Sequence, residues 1–200
     1  MPSIVAVHGI YEDAVETWKD PKTSILWLRD LLSEKLHNIR VLTYDYKARA
    51  LTSPGEGTVD RILAHATSLV AELCADRLLD SAMDRPIIFI CHGLGGLLAK
   101  RALAYSISRR HKGVEHLRSI YMSTYGMLFM GTPHNGISKE ALLLAQKGDA
   151  AGPSQFMVSL LKGSEMLNEI TDQFAPLMKR FSIYNFWRRW KPSLEISKFT

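Results

Sequence analysis

The sequence predicts an α/β fold, a three-layer sandwich in which helices cover both faces of a mainly parallel sheet. Two observations carry this expectation. Short runs rich in β-branched and aromatic residues alternate with longer segments whose apolar residues recur at the helical period. The run Ile87-Ile88-Phe89-Ile90-Cys91, introduced by Pro86, passes straight into Gly93-Leu94-Gly95-Gly96 and then into a helix pattern. A continuous apolar run of this kind reads as a parallel strand buried on both faces.

Each element can be justified in order. Ile4–Val7 is a short buried strand, with His8-Gly9-Ile10 at its carboxyl end. Ile25, Leu28, Leu31, Leu32 and Leu36 fall on one helical face, and Thr23 or Ser24 can cap its start. Ile39–Tyr44 is the next strand; Asp45 at its end is a candidate acid, on an edge where polar residues are common. Ala48–Gly57 is a loop, entered with Ser53 or Thr58 leading into a long helix. There Val59, Ile62, Leu63, Ala66, Leu69, Val70 and Leu73 keep the 3.6-residue period.

Asp84-Arg85-Pro86 delivers the chain to the central strand, and the helix after it ends at the cationic cluster Arg109-Arg110-His111-Lys112 before Gly113. Tyr121–Met130 is read as a strand that turns through Gly131-Thr132-Pro133-His134-Asn135-Gly136. In an open α/β sheet ligands bind at that carboxyl edge, so His134 is expected in the same crevice as Gly93. Residues 138–180 are helical, broken at Gly148–Pro153 and at Gly163, and form a lid- or cap-like region. Phe181–Phe186 is a final strand. The segment 187–200 opens on Trp187-Arg188-Arg189-Trp190-Lys191, a mixture suited to a lipid interface or to a surface covered by further chain.

Two hundred residues make one domain, 1–200, with enough chain for a substantial core. The 46% hydrophobic and 22% charged composition is that of an ordinary globular chain. With 25 basic and 20 acidic residues the net charge is +5, too diffuse to point to nucleic acid. Cys74 and Cys91 fall in a helix and a buried strand and read as packing residues, in keeping with a reducing compartment. The opening on strand residues leaves no room for a signal peptide, and no apolar run reaches the length of a membrane span, so an intracellular, cytoplasmic domain is expected.

Strand, glycine turn and helix match the G-x-S-x-G elbow of nucleophilic hydrolases, but the tip is Gly93, flanked by His92, where such an enzyme carries serine. A dinucleotide or anion site is the competing reading. Against it, the dinucleotide fingerprint needs a third Gly or Ala where Leu98 stands, and a P-loop needs Gly-Lys-Ser/Thr where Ala99-Lys100-Arg101 stands.

Four stretches carry a family resemblance: Val7-His8-Gly9, Trp27-Leu28-Arg29-Asp30-Leu31-Leu32, Phe89 through Lys100, and Ser123 through Gly136. Together they resemble the lipase-like serine esterases of the α/β-hydrolase superfamily, in the serine active site-containing protein branch. The likeness is strongest to the N-terminal domain of fungal NACHT/NB-ARC receptor-like and ankyrin-repeat proteins. The resemblance implies an α/β-hydrolase-like sandwich truncated at both ends, its first strand equivalent to the third of the full fold. It places the nucleophile at Gly93, oxyanion-hole amides at Ile10 and Leu94, and a crevice lined by His8, Gly9, Tyr11, Gly95, Thr132 and Pro133, with His92 as the elbow neighbour and His134 as a crevice residue among the catalytic candidates.

One departure is the run Tyr11-Glu12-Asp13, where family members tend to carry glycines. Another is that no histidine follows His134, although the resembling proteins place their catalytic acid and base after the strand at Phe181–Phe186. Removing nucleophile or base from a serine protease costs about a million-fold in turnover. The resemblance therefore implies a degenerate hydrolase domain, without cofactor or metal. It would serve as a recognition or signalling module beside downstream NACHT/NB-ARC or repeat domains, and bind a lipid or acyl-ester-like molecule. Peripheral membrane, mitochondrial or endoplasmic-reticulum association also follows from the resemblance. An esterase completed by a longer chain is the alternative.

Overall fold

A computed structural model describes residues 1–10, 13–48, 59–145 and 153–187. In chain order its elements are β1 (Ser3–Val7), α1 (Trp27–Asp30), α2 (Leu32–Lys35), β2 (Arg40–Tyr44), α3 (Val59–Leu79), β3 (Ile87–His92), α4 (Gly95–Ser108), α5 (Ser119–Ser123), β4 (Thr124–Met130), α6 (Lys139–Ala145), α7 (Gln155–Ser159), α8 (Glu165–Phe174) and β5 (Ser182–Phe186). The strands form one sheet in the order β2-β1-β3-β4-β5, and every neighbouring pair is parallel. The expected α/β sandwich is observed.

Strand alternation divides the core. Val5 and Val7 of β1, with Phe89 and Cys91 of β3 and Met127 and Phe129 of β4, face α3, α4 and α8 in the larger cluster. Ile4, Ala6 and Ile90 face the other way, against Trp18 and Leu28. Each large apolar side chain buried here contributes roughly 1.5–3 kcal/mol of transfer free energy. Of the stripe read from Val59 to Leu73, Ile62, Ala66, Leu69, Val70 and Leu73 are buried and Leu63 is half-buried, while the side chain of Val59 lies outside the described residues. Arg40 at the start of β2 grips Asp76 through both carboxylate oxygens (2.7 and 3.0 Å), tying the sheet edge to α3.

Three local expectations are corrected. The helical face drawn from Ile25 to Leu36 is two single turns, α1 and α2, in which only Leu28 is buried while Leu31 and Leu36 are exposed. Ser24 does not cap this segment: it takes φ +58°, and the Asp30 carboxylate reaches back to accept from the Leu26 N–H at 2.9 Å. The strand expected from Tyr121 starts at Thr124. Before it, Thr124 Oγ1 donates to the Ile120 carbonyl (2.6 Å) and the Tyr121 N–H donates to Ser106 Oγ (3.0 Å), holding 119–123 as a helical turn.

Within 138–180, the helix starts at α7 and α8 carry serine caps, Ser154 accepting from Met157 N–H and Ser164 from Leu167 N–H. Phe156, Met157, Leu160, Met166, Leu167, Ile170 and Phe174 enter the larger core. Strand β5 pairs with β4 alone among the described residues, and Tyr184 and Phe186 on it are exposed. The loop over 49–57, the caps Ser53 and Thr58, the break at Gly148–Pro153 up to Gly152, and the segment 188–200 lie outside the described residues.

The close approach of α4 to the sheet is set by Gly95. A Cβ built there would lie 2.4 Å from the Val7 carbonyl oxygen and 2.5 Å from that of His8. Those atoms are backbone and cannot step aside. Gly95→Ala is expected to destabilise the fold by about 3 kcal/mol, whereas Leu79→Ser, on a fully exposed side chain, should stay within about 0.5 kcal/mol. Urea denaturation of the two variants measures the contrast.

Candidate functional site

At the carboxyl edge of the sheet β3 ends on His92, and the chain reverses through Gly93 into α4. Gly93 takes φ +51°, the left-handed region in which a side chain is strained. Its N–H donates to the Met130 carbonyl at 2.9 Å, pinning the turn to the end of β4. Among the described residues a Cβ at this tip would meet only the Gly9 Cα, at 3.6 Å, an ordinary contact. Leu94 and Gly95 open α4; the Gly96 and Leu97 N–H groups donate to the Gly93 and Leu94 carbonyls (3.3 and 2.9 Å), and the helix N-terminus favours negative charge.

The turn after β1 forms the facing wall. His8 is buried, with its ring stacked on Tyr46 at 4.4 Å. With Nδ1–H donating to the Gly9 carbonyl (2.9 Å), Nε2 is left to accept from the Tyr46 N–H (3.4 Å). The Tyr46 hydroxyl donates to the His8 carbonyl at 2.9 Å. Asp45 Oδ1 comes within 3.5 Å of His8 Nε2 but is 80% exposed, and with the ring proton on Nδ1 it makes no hydrogen bond there. Ile10 follows, half-buried against the larger core. Tyr11 lies outside the described residues.

The third wall is the turn after β4. Gly131 donates its N–H to the Phe186 carbonyl (3.0 Å), and the His134 N–H donates to that of Thr132 (2.9 Å). The His134 Nε2 lies 3.0 Å from Asn185 Oδ1, and its ring meets Phe129 edge-on at 4.8 Å and Trp187 at 5.8 Å. Burial, then the positive charge of Lys100, push its pKa down to about 4, against the opposing Asn185 bond. Lys100 reaches this wall from α4, its ammonium 5.7 Å from the Phe129 ring and 5.5 Å from that of Phe174. Burial alone lowers its pKa to about 8. Cys91 is fully buried, and its thiol is pushed far up by desolvation, which leaves it an inert packing residue.

A profile of the alpha/beta hydrolase family matches residues 4–195. The chain belongs to that family. Protein SERAC1 of Mus musculus and of Homo sapiens are each 23% identical over 202 residues, covering 92% of this chain and 29% of their own length. The chain thus spans under a third of the curated relatives it matches. Among solved structures, the mature Bacillus licheniformis lipase BlEst2 superposes with a TM-score of 0.55 at 17% identity, over 92% of this chain and 64% of that one. Phospholipase PlaB from Legionella pneumophila gives 0.56 at 17% identity, over 93% and 38%. Both are similar in fold.

In this alpha/beta hydrolase chain, Gly9, Gly93, Gly95 and Thr132 meet around the start of α4. The contacts are Gly9 against Gly93, Gly95 against the β1 carbonyls, and Thr132 against Gly96. His134 joins the same edge through Asn185, and Pro133 lies between it and Thr132. Sequence reasoning named Lys100 and Phe129 only as parts of motifs and missed Asn185. A lysine at the helical period of Gly96 and Leu103, on the buried face of α4, was the available signal. Among the described residues no group of three or more His, Cys, Asp or Glu could hold a metal ion.

Because the folded-state pKa of His134 lies below its ordinary value of 6.5, the unfolded chain binds the proton first as pH falls. The stabilising effect of the uncharged ring is complete above pH 6.5 and is lost between there and about pH 4. His134→Phe should therefore lose about 1 kcal/mol less than the native chain between pH 7 and pH 4.5, a figure discounted for the half-exposed ring. Denaturant titrations at the two pH values measure it.

Proposed function

We propose that this is a degenerate serine-hydrolase domain, related to the serine active site-containing branch, that holds a small molecule in the ancestral crevice without acylation. The observation that carries the reading is Gly93, a turn tip with elbow backbone and no side-chain nucleophile. The imidazoles of His8 and His134 are each engaged, one by Gly9 and Tyr46, the other by Asn185, and no histidine follows in the 200 residues. The Leu94 and Ile10 amides are the oxyanion-hole positions and need no side-chain chemistry, so a carbonyl or carboxyl oxygen can still be held there.

The four family-like stretches support a role as the recognition or signalling module of a larger fungal receptor-like protein with NACHT/NB-ARC or repeat domains. Its ligand would be lipid or acyl-ester-like, and its setting intracellular, with peripheral membrane contact. Among the described residues no helix is long and apolar enough to cross a membrane.

A second reading, an esterase completed by a longer chain, is favoured by the absence of any close contact at the Gly93 tip among the described residues. One experiment separates the two. The protein is treated with a fluorophosphonate probe and assayed on p-nitrophenyl butyrate, alongside Gly93→Ser. Neither form should be labelled or turn over ester, because a serine without a base recovers little of the roughly million-fold that the intact catalytic set supplies. Labelling of the native chain at a single residue would reject the degenerate reading, and labelling of Gly93→Ser would establish that only the nucleophile is missing.

A further inference from the structure

One patch of this edge carries a buried ammonium without a carboxylate and two buried polar atoms without a hydrogen-bond partner among the described residues. Gly96 and Lys100 are one turn apart on the face of α4 that meets β4. A Cβ at Gly96 would lie 2.2 Å from Thr132 Oγ1 and 2.9 Å from the Phe129 ring. The Lys100 ammonium stands over that same ring, and His134 meets it edge-on. Three polar side chains therefore gather around Phe129.

Thr132 is 1% exposed, and among the described residues neither its hydroxyl nor the buried His134 Nδ1 has a hydrogen-bond partner. Lys100 is 7% exposed, and no carboxylate among the described residues pairs with it. Unpaired polar atoms buried in this way are uncommon, and a buried cation without a counter-charge is costlier still. The rings of Phe129 and Phe174 offset only part of that cost.

We propose that Lys100, Thr132 and His134 form a binding site for the carboxylate of an apolar acid. The inference rests on reading this edge as a retained, non-catalytic crevice. A carboxylate is a pure acceptor and suits three donors: the Lys100 N–H groups, the Thr132 hydroxyl and the His134 Nδ1–H. The last requires the imidazole proton on Nδ1, which follows when the Asn185 amide turns its NH₂ toward Nε2; the two amide orientations have the same shape. One ammonium balances one negative charge, so a monoanion fits better than phosphate. The aromatic side chains of Phe129, Phe174 and the exposed Trp187 make the surroundings apolar, which favours an acid with a hydrocarbon tail.

The test uses the full chain with decanoate, decanol and inorganic phosphate, read by calorimetry and by the ¹³C carboxyl signal of labelled decanoate. Decanoate should bind in a saturable way and raise the unfolding temperature, with decanol at least about tenfold weaker and phosphate failing to displace it. Lys100→Met should lose decanoate affinity at least about tenfold while unfolding at a higher temperature than the native chain when free, since it removes an unpaired buried charge. Thr132→Val, nearly isosteric, should weaken decanoate by a smaller factor and serves if Lys100→Met does not fold.

Equal binding of decanoate and decanol, full decanoate affinity in Lys100→Met or in Thr132→Val, or displacement by phosphate at equal concentration would each overturn the site. Fluorophosphonate labelling on the same preparation separates the two failures. A silent probe with no decanoate binding removes this site alone, whereas a labelled protein removes the degenerate reading beneath it.

Discussion

The contact on which the architecture depends is backbone against backbone, the first turn of α4 resting on the carbonyl groups of Val7 and His8 with no Cβ between them. Gly95 makes that approach and Gly96 makes the neighbouring one, against Thr132 and Phe129. Both neighbours are fixed, one as the end of a strand buried along its whole length, the other as the turn that closes β4. The start of the helix, the end of β1 and the turn after β4 are therefore held within van der Waals contact. A concave edge follows from that packing whatever residue occupies the tip. The atoms that maintain the shape of this edge are backbone atoms and are distinct from any side chain at the tip.

The elements that the sequence discloses are those whose burial is decided by period alone. Strands β1 and β3 are continuous apolar runs covered on both faces, and α3 carries an apolar stripe over several turns. Neither pattern has a competing interpretation. The failures are short segments where one polar group decides. The Asp30 carboxylate on Leu26 N–H, and Ser106 with Thr124 around 119–123, set the local backbone through bonds between residues whose spacing carries no pattern. The apolar character of Leu31, Leu36 and Tyr121 suggested longer regular elements than side-chain hydrogen bonding allows.

The candidate site divides along the same line. Gly93, Gly95 and the turn after β4 are visible because glycine marks backbone geometry, and backbone geometry is what a motif records. The Lys100, Asn185 and Phe129 neighbourhood of His134 is not visible, since it joins α4, β4 and β5 from positions as far as 85 residues apart in the chain. Their electrostatics runs counter to solvent-exposed behaviour: burial lowers both the imidazole and the ammonium pKa. Only the tertiary arrangement makes that known.

The outer margin of β5 has a consequence for handling the protein. Among the described residues β5 is the outermost strand on this side, so alternate amide and carbonyl groups along it have no ladder partner there, and it displays Tyr184 and Phe186 beside them. Natural sheets commonly guard such a margin with lysine or proline inside the strand; Ser182-Ile183-Tyr184-Asn185-Phe186 carries neither a charge nor a proline. Sticky association through this rim would grow with concentration and persist in high salt, because it draws on hydrogen bonding and aromatic contact instead of ionic attraction.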